Sequence, residues 1–450
     1  MFRTVIIGIT CGSAFGLPDV VCTEINGATS YGVVDGVAAY SFGTTICNFG
    51  DSPTPYQSDT NQHPLIAQSI YMLKDHQLKQ IGLGFVRHTT LPDSGNLCGR
   101  SCTLSSDDAL GFGCSDTSSS DANGDQAMMG PRTEVNAFHT DFPHPFTSMN
   151  QGGDAVYKRV QVDLADISDP DALYFVETQI IAPGEYPYDS ANNVSYRRVV
   201  FAPGTANAVL LGPTYEQLPA IYALRDHGNG VRTPDESVHI DQVTVNGIGL
   251  VNVASRVEYL EDESLYRYDY VIHNQYCVQP FGWIEHTATM NRDAQGLGFS
   301  SPVYHGDLDE MVDDQAWTVD LFRGETMLYR QAVGFPDDPN ANTIRWGTAY
   351  SFSLKTDSQP LQEVEDTITI GWQTAANSGG HPYFLTADAI MPYSGEFICS
   401  PDVNGDGLLN FFDVSAFIKN YFDGVDYNGD GVVNFFDVSR FLSDYSEGCP

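Results

Sequence analysis

The last fifty residues contain an internal repeat that restricts the fold more than any other part of the chain. Residues 402–425 and 426–449 align without gaps, and 14 of the 24 aligned positions are identical. Each copy begins with the pattern Asp-x-Asn-x-Asp-Gly-x-x-Asn-x-x-Asp. Ca²⁺ is bound by about six or more oxygen ligands, which positions 1, 3, 5, 7, 9 and 12 supply in helix–loop–helix proteins. The repeat therefore predicts two calcium loops.

The predicted calcium ligands fall at the same positions of both loops. All are side-chain oxygens except at position 7, where the ligand is a backbone carbonyl. The ligands of the first loop are Asp402, Asn404, Asp406, Leu408, Asn410 and Asp413, and those of the second are Asp426, Asn428, Asp430, Val432, Asn434 and Asp437. Glycine at position 6 permits the sharp turn that the loop requires. We therefore expect two bound Ca²⁺ ions.

One helix is predicted after each loop. Apolar residues recur there with the spacing i, i+3, i+4, i+7, which places them on one face of a helix. These residues are Val414, Phe417, Ile418 and Tyr421 in the first copy and Val438, Phe441, Leu442 and Tyr445 in the second. The two apolar faces can pack against each other and form a small α domain.

Two such loops, each followed by a single helix, resemble a type I dockerin over residues 399–450. Asp at position 12, in place of the Glu usual in helix–loop–helix hands, also fits that family. The resemblance implies docking onto a cohesin-like protein in an extracellular assembly, in either of two orientations related by a pseudo-twofold axis. Cys399 and Cys449 bracket the module, and we expect a disulfide between them. A calcium-stiffened stalk is the structural alternative.

Phenylalanine pairs depart from the dockerin pattern. Dockerins commonly carry Ser or Thr at loop positions 10 and 11, where the partner is recognised. Here those positions are Phe411-Phe412 and Phe435-Phe436. Either the partner surface is apolar, or the phenylalanines belong to the core. The small size of the module favours the core, because it offers few other large apolar groups to bury.

The first residues have the composition of a secretory signal peptide. Arg3 precedes a mostly apolar run from Val5 to Phe15, and small residues near Gly16 suit a cleavage site. This run is too short to span a bilayer, and we predict no transmembrane segment elsewhere. Residues 1–16 are therefore predicted to be a signal peptide, and the protein is expected to be secreted, extracellular or on the cell surface.

The charge of the chain excludes one class of partner. With 58 acidic and 21 basic residues, the formal net charge is −37, and such a surface repels nucleic acid. The tail contributes nine acids against two basic residues, a net charge of −7, of which two Ca²⁺ ions would offset four charges.

Cysteines outside the predicted signal are even in number, which suggests disulfides in an exported chain. They are Cys22, Cys47, Cys98, Cys102, Cys114, Cys277, Cys399 and Cys449. The Cys98-x3-Cys102 spacing, with Cys114 beyond it, could imitate a metal site. Local disulfides are favoured, because the surrounding loop is rich in Gly, Ser and Asp and the expected compartment is oxidising.

The body, residues 17–392, is predicted to be mainly β. Two strands within residues 69–87 read as a hairpin around Asp75-His76, and alternation places Tyr266, Tyr268, Tyr270 and Ile272 on one face. Short strands separated by Gly and Pro residues predict one or two β-sandwich-type domains; if there are two, they span residues 17–230 and 231–392. The one exception is a short helix expected over residues 213–227. A long loop region is expected over residues 93–134.

No sequence motif in the body identifies an enzyme. The zinc-helix, nucleophile-elbow and phosphate-loop signatures are absent from the sequence. Residues 139–144 contain two histidines and Asp141, which a metal site or an acid/base pair could use, but an ordinary loop is the preferred interpretation. Residues 305–314 are acidic and residues 121–125 hold half a calcium loop, yet neither completes the pattern of the tail. The catalytic residues, if there are any, stay unknown.

Four short stretches of the body resemble exported bacterial proteins that carry similar C-termini. They are residues 61–64, 130–136, 268–274 and 342–347. The resemblance implies export and a sandwich fold, and no activity. We therefore predict a secreted calcium-binding protein whose tail docks it in an extracellular assembly while the body binds or serves as structure. The alternative is a polysaccharide-degrading enzyme of the glycoside hydrolase type that its dockerin presents, because dockerins most often accompany carbohydrate-active domains.

Overall fold

The computed structural model forms two compact units, Met1–Pro392 and Tyr393–Pro450, which are described separately here as the body and the tail. The described residues are 16–89, 92–286, 295–304, 312–322, 327–335, 337–360, 366–372, 384–392, 401, 403–404, 409–422, 424–425, 427 and 432–447. Residues 1–15 of the predicted signal peptide and both cysteines of the expected Cys399–Cys449 disulfide lie outside these residues.

The body is mainly β, as predicted, and its sheets are antiparallel. The strands of its first half are β1 (Val20–Val34), β2 (Val37–Asn48), β3 (Thr54–Pro55), β4 (Leu65–Lys74), β5 (Gln77–His88), β6 (Ala109–Leu110), β7 (Ser115–Ser118), β8 (Met129–Gly130), β9 (Val160–Asp163), β10 (Leu173–Ile181), β11 (Val194–Phe201) and β12 (Ala208–Tyr215). Those of its second half are β13 (His239–Val245), β14 (Gly249–Leu260), β15 (Leu265–Asn274), β16 (Phe281–His286), β17 (Gln295–Ser300), β18 (Thr318–Phe322), β19 (Met327–Gln331), β20 (Thr348–Thr356), β21 (Asp366–Trp372) and β22 (Phe384–Ala389).

The large sheet of the first half curls until its two ends meet. Its order is β1-β2-β9-β5-β4-β10-β11-β12, with β7 beside β2 and β8 beside β5, while β3 and β6 pair separately. The edge strands β1 and β12 are joined through side chains: the Ile25 N–H donates to Thr214 Oγ1 at 3.0 Å, and the Ala208 N–H donates to Ser30 Oγ at 2.9 Å. Apolar side chains of strands around the sheet form a single buried cluster inside this barrel-like layer.

The hairpin of β4 and β5 confirms the turn predicted at Asp75-His76. Both residues have positive φ, 49° and 61°, which is the backbone conformation that a two-residue type I′ turn requires. Lys74 pairs with Gln77 at the end of the ladder. The turn chemistry of two residues therefore sets the register of these strands.

The second half is sandwich-like. One sheet has the order β13-β14-β15-β20-β17 and the other β18-β19-β16-β21-β22, and both contribute to one buried apolar cluster. Tyr268, Tyr270 and Ile272 lie in this cluster, with Tyr266 packed at its edge, so the predicted alternation is confirmed. These tyrosines therefore contribute to the core of the second half.

Buried amides connect the two halves of the body. The Gln80 side chain donates to the Gly347 carbonyl at 3.0 Å and accepts from the Ala349 N–H at 2.8 Å. Gln179 Nε2 donates to the Gln275 carbonyl at 2.9 Å. The boundary predicted near residue 230 separates the strands of these halves, and both halves belong to the same compact unit.

Helix is shorter than predicted near residues 213–227. Residues 208–215 pair with β11 as strand β12, and only a 3₁₀ turn at Ala220–Tyr222 and the helix α2 (Ala223–Asp226) follow. The preceding helix, α1, spans Ser120–Asn123 and lies in the loop region 93–134, where three short strands and two 3₁₀ segments also occur. The predicted helix therefore began too early: Thr214 and Tyr215 are residue types that favour strands, and they pair with β11.

Two disulfides are present, and the alternative of a metal site at Cys98, Cys102 and Cys114 is wrong. Cys47 is bonded to Cys98, and Cys102 is bonded to Cys114. Cys22 and Cys277 are free, buried thiols that lie in different core clusters and so cannot pair. Burial raises the pKa of both thiols, which keeps them protonated and unreactive.

Candidate functional site

The tail contains one helix per repeat, as predicted. These helices are α3 (Phe411–Phe422) and α4 (Phe435–Glu447), and both begin at loop position 10. The side chain of the preceding asparagine caps each helix: Asn410 Oδ1 accepts from the Phe412 N–H at 2.8 Å, and Asn434 Oδ1 accepts from the Phe436 N–H at 2.7 Å. The repeat in sequence is therefore a repeat in local structure.

The carboxylates at position 12 are completely buried in both copies. Asp413 accepts from the Asn410 N–H at 2.7 Å and from the Asn404 N–H at 3.4 Å. Asp437 likewise accepts from the Asn434 N–H at 2.7 Å and from the Tyr427 N–H at 2.8 Å. Each aspartate thus reaches back from its helix to the start of its own loop.

The remaining predicted ligands are described only in part. Asn404, Asn410, Asp413, Val432, Asn434 and Asp437 belong to the described residues, and Asp402, Asp406, Leu408, Asp426, Asn428 and Asp430 lie outside them. The Val432 carbonyl accepts from Asn434 Nδ2 at 3.0 Å. Within the described part of the chain, no three His, Cys, Asp or Glu side chains are arranged to hold a metal. Calcium binding therefore stays a prediction.

A stacked pair of phenylalanines forms the core of the tail. The rings of Phe417 and Phe441 lie 4.0 Å apart at an interplanar angle of 1°, and both side chains are buried. Tyr427 packs edge-on against both rings. Ile418 and Leu442, which were predicted to share this face, are about half exposed.

The Phe-Phe pairs are exposed, so the expectation that they belong to the core is wrong. Phe411, Phe412, Phe435 and Phe436 are 75%, 69%, 73% and 67% exposed. The reason is helical geometry. Asp413, Phe417 and Tyr421 are spaced by four residues and face inward, whereas the two residues before Asp413 are rotated about 100° and 200° away from that face. Two equivalent apolar patches therefore project from the helix starts.

The structure describes two of the three candidate polar clusters of the body. His139 and Asp141 are exposed, and the backbones of Asn136 and Asp141 pair with each other. Asp121 accepts from the Thr29 hydroxyl, and Asp125 caps a 3₁₀ turn by accepting from the Ala127 N–H at 3.1 Å. Most of the acidic stretch 305–314 lies outside the described residues.

Sequence reasoning missed a cavity of about 160 Å³ in the body. Two of the quoted stretches, 130–136 and 342–347, meet here, because Trp346 Nε1 donates to the Arg132 carbonyl at 2.9 Å across 214 residues of sequence. Arg345 and Tyr304 also line the cavity. The sequence analysis had singled out both stretches for their resemblance to exported bacterial proteins. No local periodicity, however, indicates that they contact each other.

Comparisons with known proteins add little. No family model matches the chain, and no curated protein matches it. Among solved structures, the collagen adhesin of S. aureus aligns with 82% of this chain and 93% of that chain at 8% sequence identity, with a TM-score of 0.17. A TM-score this low does not show a shared fold. None of the described helices has the length and apolar character needed to cross a membrane.

Proposed function

We propose that this protein works outside the cell, where a calcium-stabilised tail docks its β-rich body onto a partner protein. The observation that carries the proposal is the exposure of the phenylalanine pairs Phe411-Phe412 and Phe435-Phe436 at equivalent positions of the repeat. Exposed aromatic pairs are costly in water and are typical of interaction surfaces. The two disulfides of the body support an oxidising compartment.

The partner is proposed to be a cohesin-like protein with an apolar surface and a basic rim. The apolar surface would cover the phenylalanines. An ordinary dockerin has polar recognition residues at these positions and would not need an apolar partner surface. The basic rim follows from charge, because the tail has a net charge of −7 and keeps about −3 with two Ca²⁺ ions bound. The calcium loops would fix the helix starts and thereby hold both pairs in place.

Binding of the full chain to a panel of purified type I cohesin modules tests this function. We expect saturable binding to at least one cohesin in Ca²⁺, and its loss in chelator and in the variant with all four phenylalanines changed to Ser. Phe422→Ser is the matched control, because Phe422 is 81% exposed and lies at the other end of its helix. Binding to no cohesin, or unchanged binding by the fourfold variant, contradicts the proposal.

Changing one pair at a time tests the pseudo-twofold relationship. If either pair can meet the partner, Phe411→Ser with Phe412→Ser should retain binding, and so should Phe435→Ser with Phe436→Ser. Loss of binding in only one of these double variants would show that the two copies are not equivalent.

A further inference from the structure

The cavity beside Arg132 combines cationic and apolar walls where the two halves of the body meet. Its polar lining consists of Arg132, Arg345, Tyr304, Thr133, Thr348 and the indole of Trp346, and its other described lining residues are aliphatic. No Asp or Glu is among the described lining residues. In a chain with a net charge of −37, this is an electropositive interior site.

Arg132 is buried without a carboxylate at ion-pair distance among the described residues. Its Nε donates to the Gly84 carbonyl and its Nη2 to the Gln68 carbonyl, both at 2.8 Å. Glu177 acts on it only from a greater distance, since that carboxylate accepts from the Tyr71 hydroxyl and the Ala220 N–H. Burial lowers the pKa of Arg132 to about 10, so the guanidinium stays charged at neutral pH.

The guanidinium of Arg132 is held in a fixed position. The Arg132 Cζ lies over the Trp346 ring, 5.2 Å from the ring centroid. The Arg132 Nη1 lies 2.2 Å from the position that a Cβ on residue 347 would take, so it occupies space that only Gly347 leaves open. Gly347 has a φ of 69°, which a glycine adopts without strain. The donor group is therefore ordered before any ligand arrives, which reduces the entropy that binding would cost.

Arg345 supplies a second cation to the lining of the cavity. Its Nη2 donates to the Pro339 carbonyl at 2.6 Å, while its Nε is buried and has no hydrogen-bond partner among the described residues. Arg345, Arg132 and Tyr304 all line the cavity, and the charges of the two arginines partly offset the rise that burial causes in the pKa of Tyr304. A buried donor without an acceptor is costly, and an anion in the cavity would remove that cost.

We propose that this cavity binds the carboxylate of a small organic acid, with Arg132 and Arg345 as the cationic groups and Trp346 against the apolar part of the ligand. Hydrogen bonds between a guanidinium and a carboxylate are charge-assisted and stronger than neutral ones, and Arg345 Nε and Arg132 Nη1 have no hydrogen-bond partner among the described residues. A cavity of about 150 Å³ accommodates a benzene ring, so the ligand is at most about the size of one six-membered ring. Aromatic acids and acidic sugar residues both meet this description.

Benzoate and glucuronate are the probes that distinguish an aromatic acid from an acidic sugar as the ligand. Binding to the full chain is measured at constant ionic strength, by the Trp fluorescence change and by the thermal midpoint. Benzamide and glucose are the neutral counterparts, and sulfate and phosphate are the competing anions. Saturable binding of benzoate or glucuronate, without binding of its neutral counterpart, supports the proposal. Binding of neither carboxylate, or binding of sulfate or phosphate alone, overturns it.

Arg345→Gln should weaken the binding of the effective probe about tenfold or more, because it removes one charge-assisted bond. Arg225→Gln is the matched control, since Arg225 pairs with Asp226 outside the cavity and its loss should leave the affinity unchanged. Arg345→Lys is a second variant, which keeps the positive charge but loses the Nε–H donor, and it serves if Arg345→Gln does not fold. Equal affinity in the wild type and in the folded cavity variant overturns the proposal.

Discussion

Phe417 and Phe441 stack face to face in the tail, and they occupy the same position of the 24-residue repeat. The ring of one copy therefore packs on the ring of the other, as expected if a pseudo-twofold axis passes between them. This contact joins the two helices through the largest buried side chains among the described residues of the tail. Together with Tyr427, which packs edge-on against both rings, this aromatic pair connects the two repeats of a module too small to form an extensive core.

Replacing Phe417 with Ala is expected to unfold the tail. Truncating a buried phenylalanine costs about 3–5 kcal/mol, which is comparable to the whole stability of a domain of this size. Circular dichroism at 222 nm should show loss of helix at a temperature where the wild type is folded. Phe412→Ala is the control, because Phe412 is exposed and its loss should change the stability by less than about 0.5 kcal/mol. Equal stability of the two variants would contradict the importance of the stacked pair.

Removing calcium is expected to unfold the tail while the body stays folded. The carboxylates of each loop repel one another without the ion, and metal binding supplies folding free energy in modules of this kind. All four tryptophans lie in the body, at positions 283, 317, 346 and 372, so their fluorescence reports on the body alone. Chelator should reduce the helical signal at 222 nm without shifting the tryptophan emission. Asp402→Ala with Asp426→Ala should reproduce this result in the presence of Ca²⁺, and an unchanged helical signal in chelator would count against it.

Glu185 should make the body less stable as the pH rises. Burial raises the pKa of this carboxyl to about 8, even though it accepts from the Val20 N–H and the Asn193 amide. Between about pH 4.5 and 8 the folded state therefore holds a proton that the unfolded state has released, and stability falls across that interval. The loss is at most about 1.4 kcal/mol for each pH unit. Urea unfolding of the wild type and of Glu185→Gln at pH 5 and pH 8 checks this, and the variant should show the smaller pH dependence.

The two disulfides should differ in how much they stabilise the body. Cys47–Cys98 spans 51 residues of sequence and Cys102–Cys114 spans 12. By the loop-entropy relation, the first stabilises by about 4 kcal/mol and the second by about 3 kcal/mol. We expect Cys47→Ser with Cys98→Ser to lower the free energy of unfolding more than Cys102→Ser with Cys114→Ser does, as measured in urea. The reverse order would show that native packing around the cysteines outweighs loop length.

Features that depend on neighbouring residues could be predicted from the sequence. The Asp75-His76 turn follows from local turn chemistry, and the buried face of Tyr268, Tyr270 and Ile272 follows from a period of two. The helices α3 and α4 follow from apolar spacing and from the repeat. In each case the determining residues lie within about ten positions of one another.

Features that depend on distant residues could not be predicted. The contact of β1 with β12 joins Ile25 to Thr214, and no local pattern records it. The cavity joins Arg132 to Trp346, which lie even further apart in sequence. The Phe-Phe pairs were misassigned for a different reason. Their apolar character predicted burial, but the buried face of the helix contains Asp413 and Phe417, and the phenylalanine pair lies on its other faces.

Counting the calcium ions bound by the full chain tests the central claim most directly. Titration against a chromophoric chelator should show two Ca²⁺ ions per chain in the wild type, one in Asp402→Ala and one in Asp426→Ala, because each loop holds its own ion. The double variant should bind neither of the two. A wild-type chain that binds no Ca²⁺, or a double variant that still binds two ions, would contradict the account.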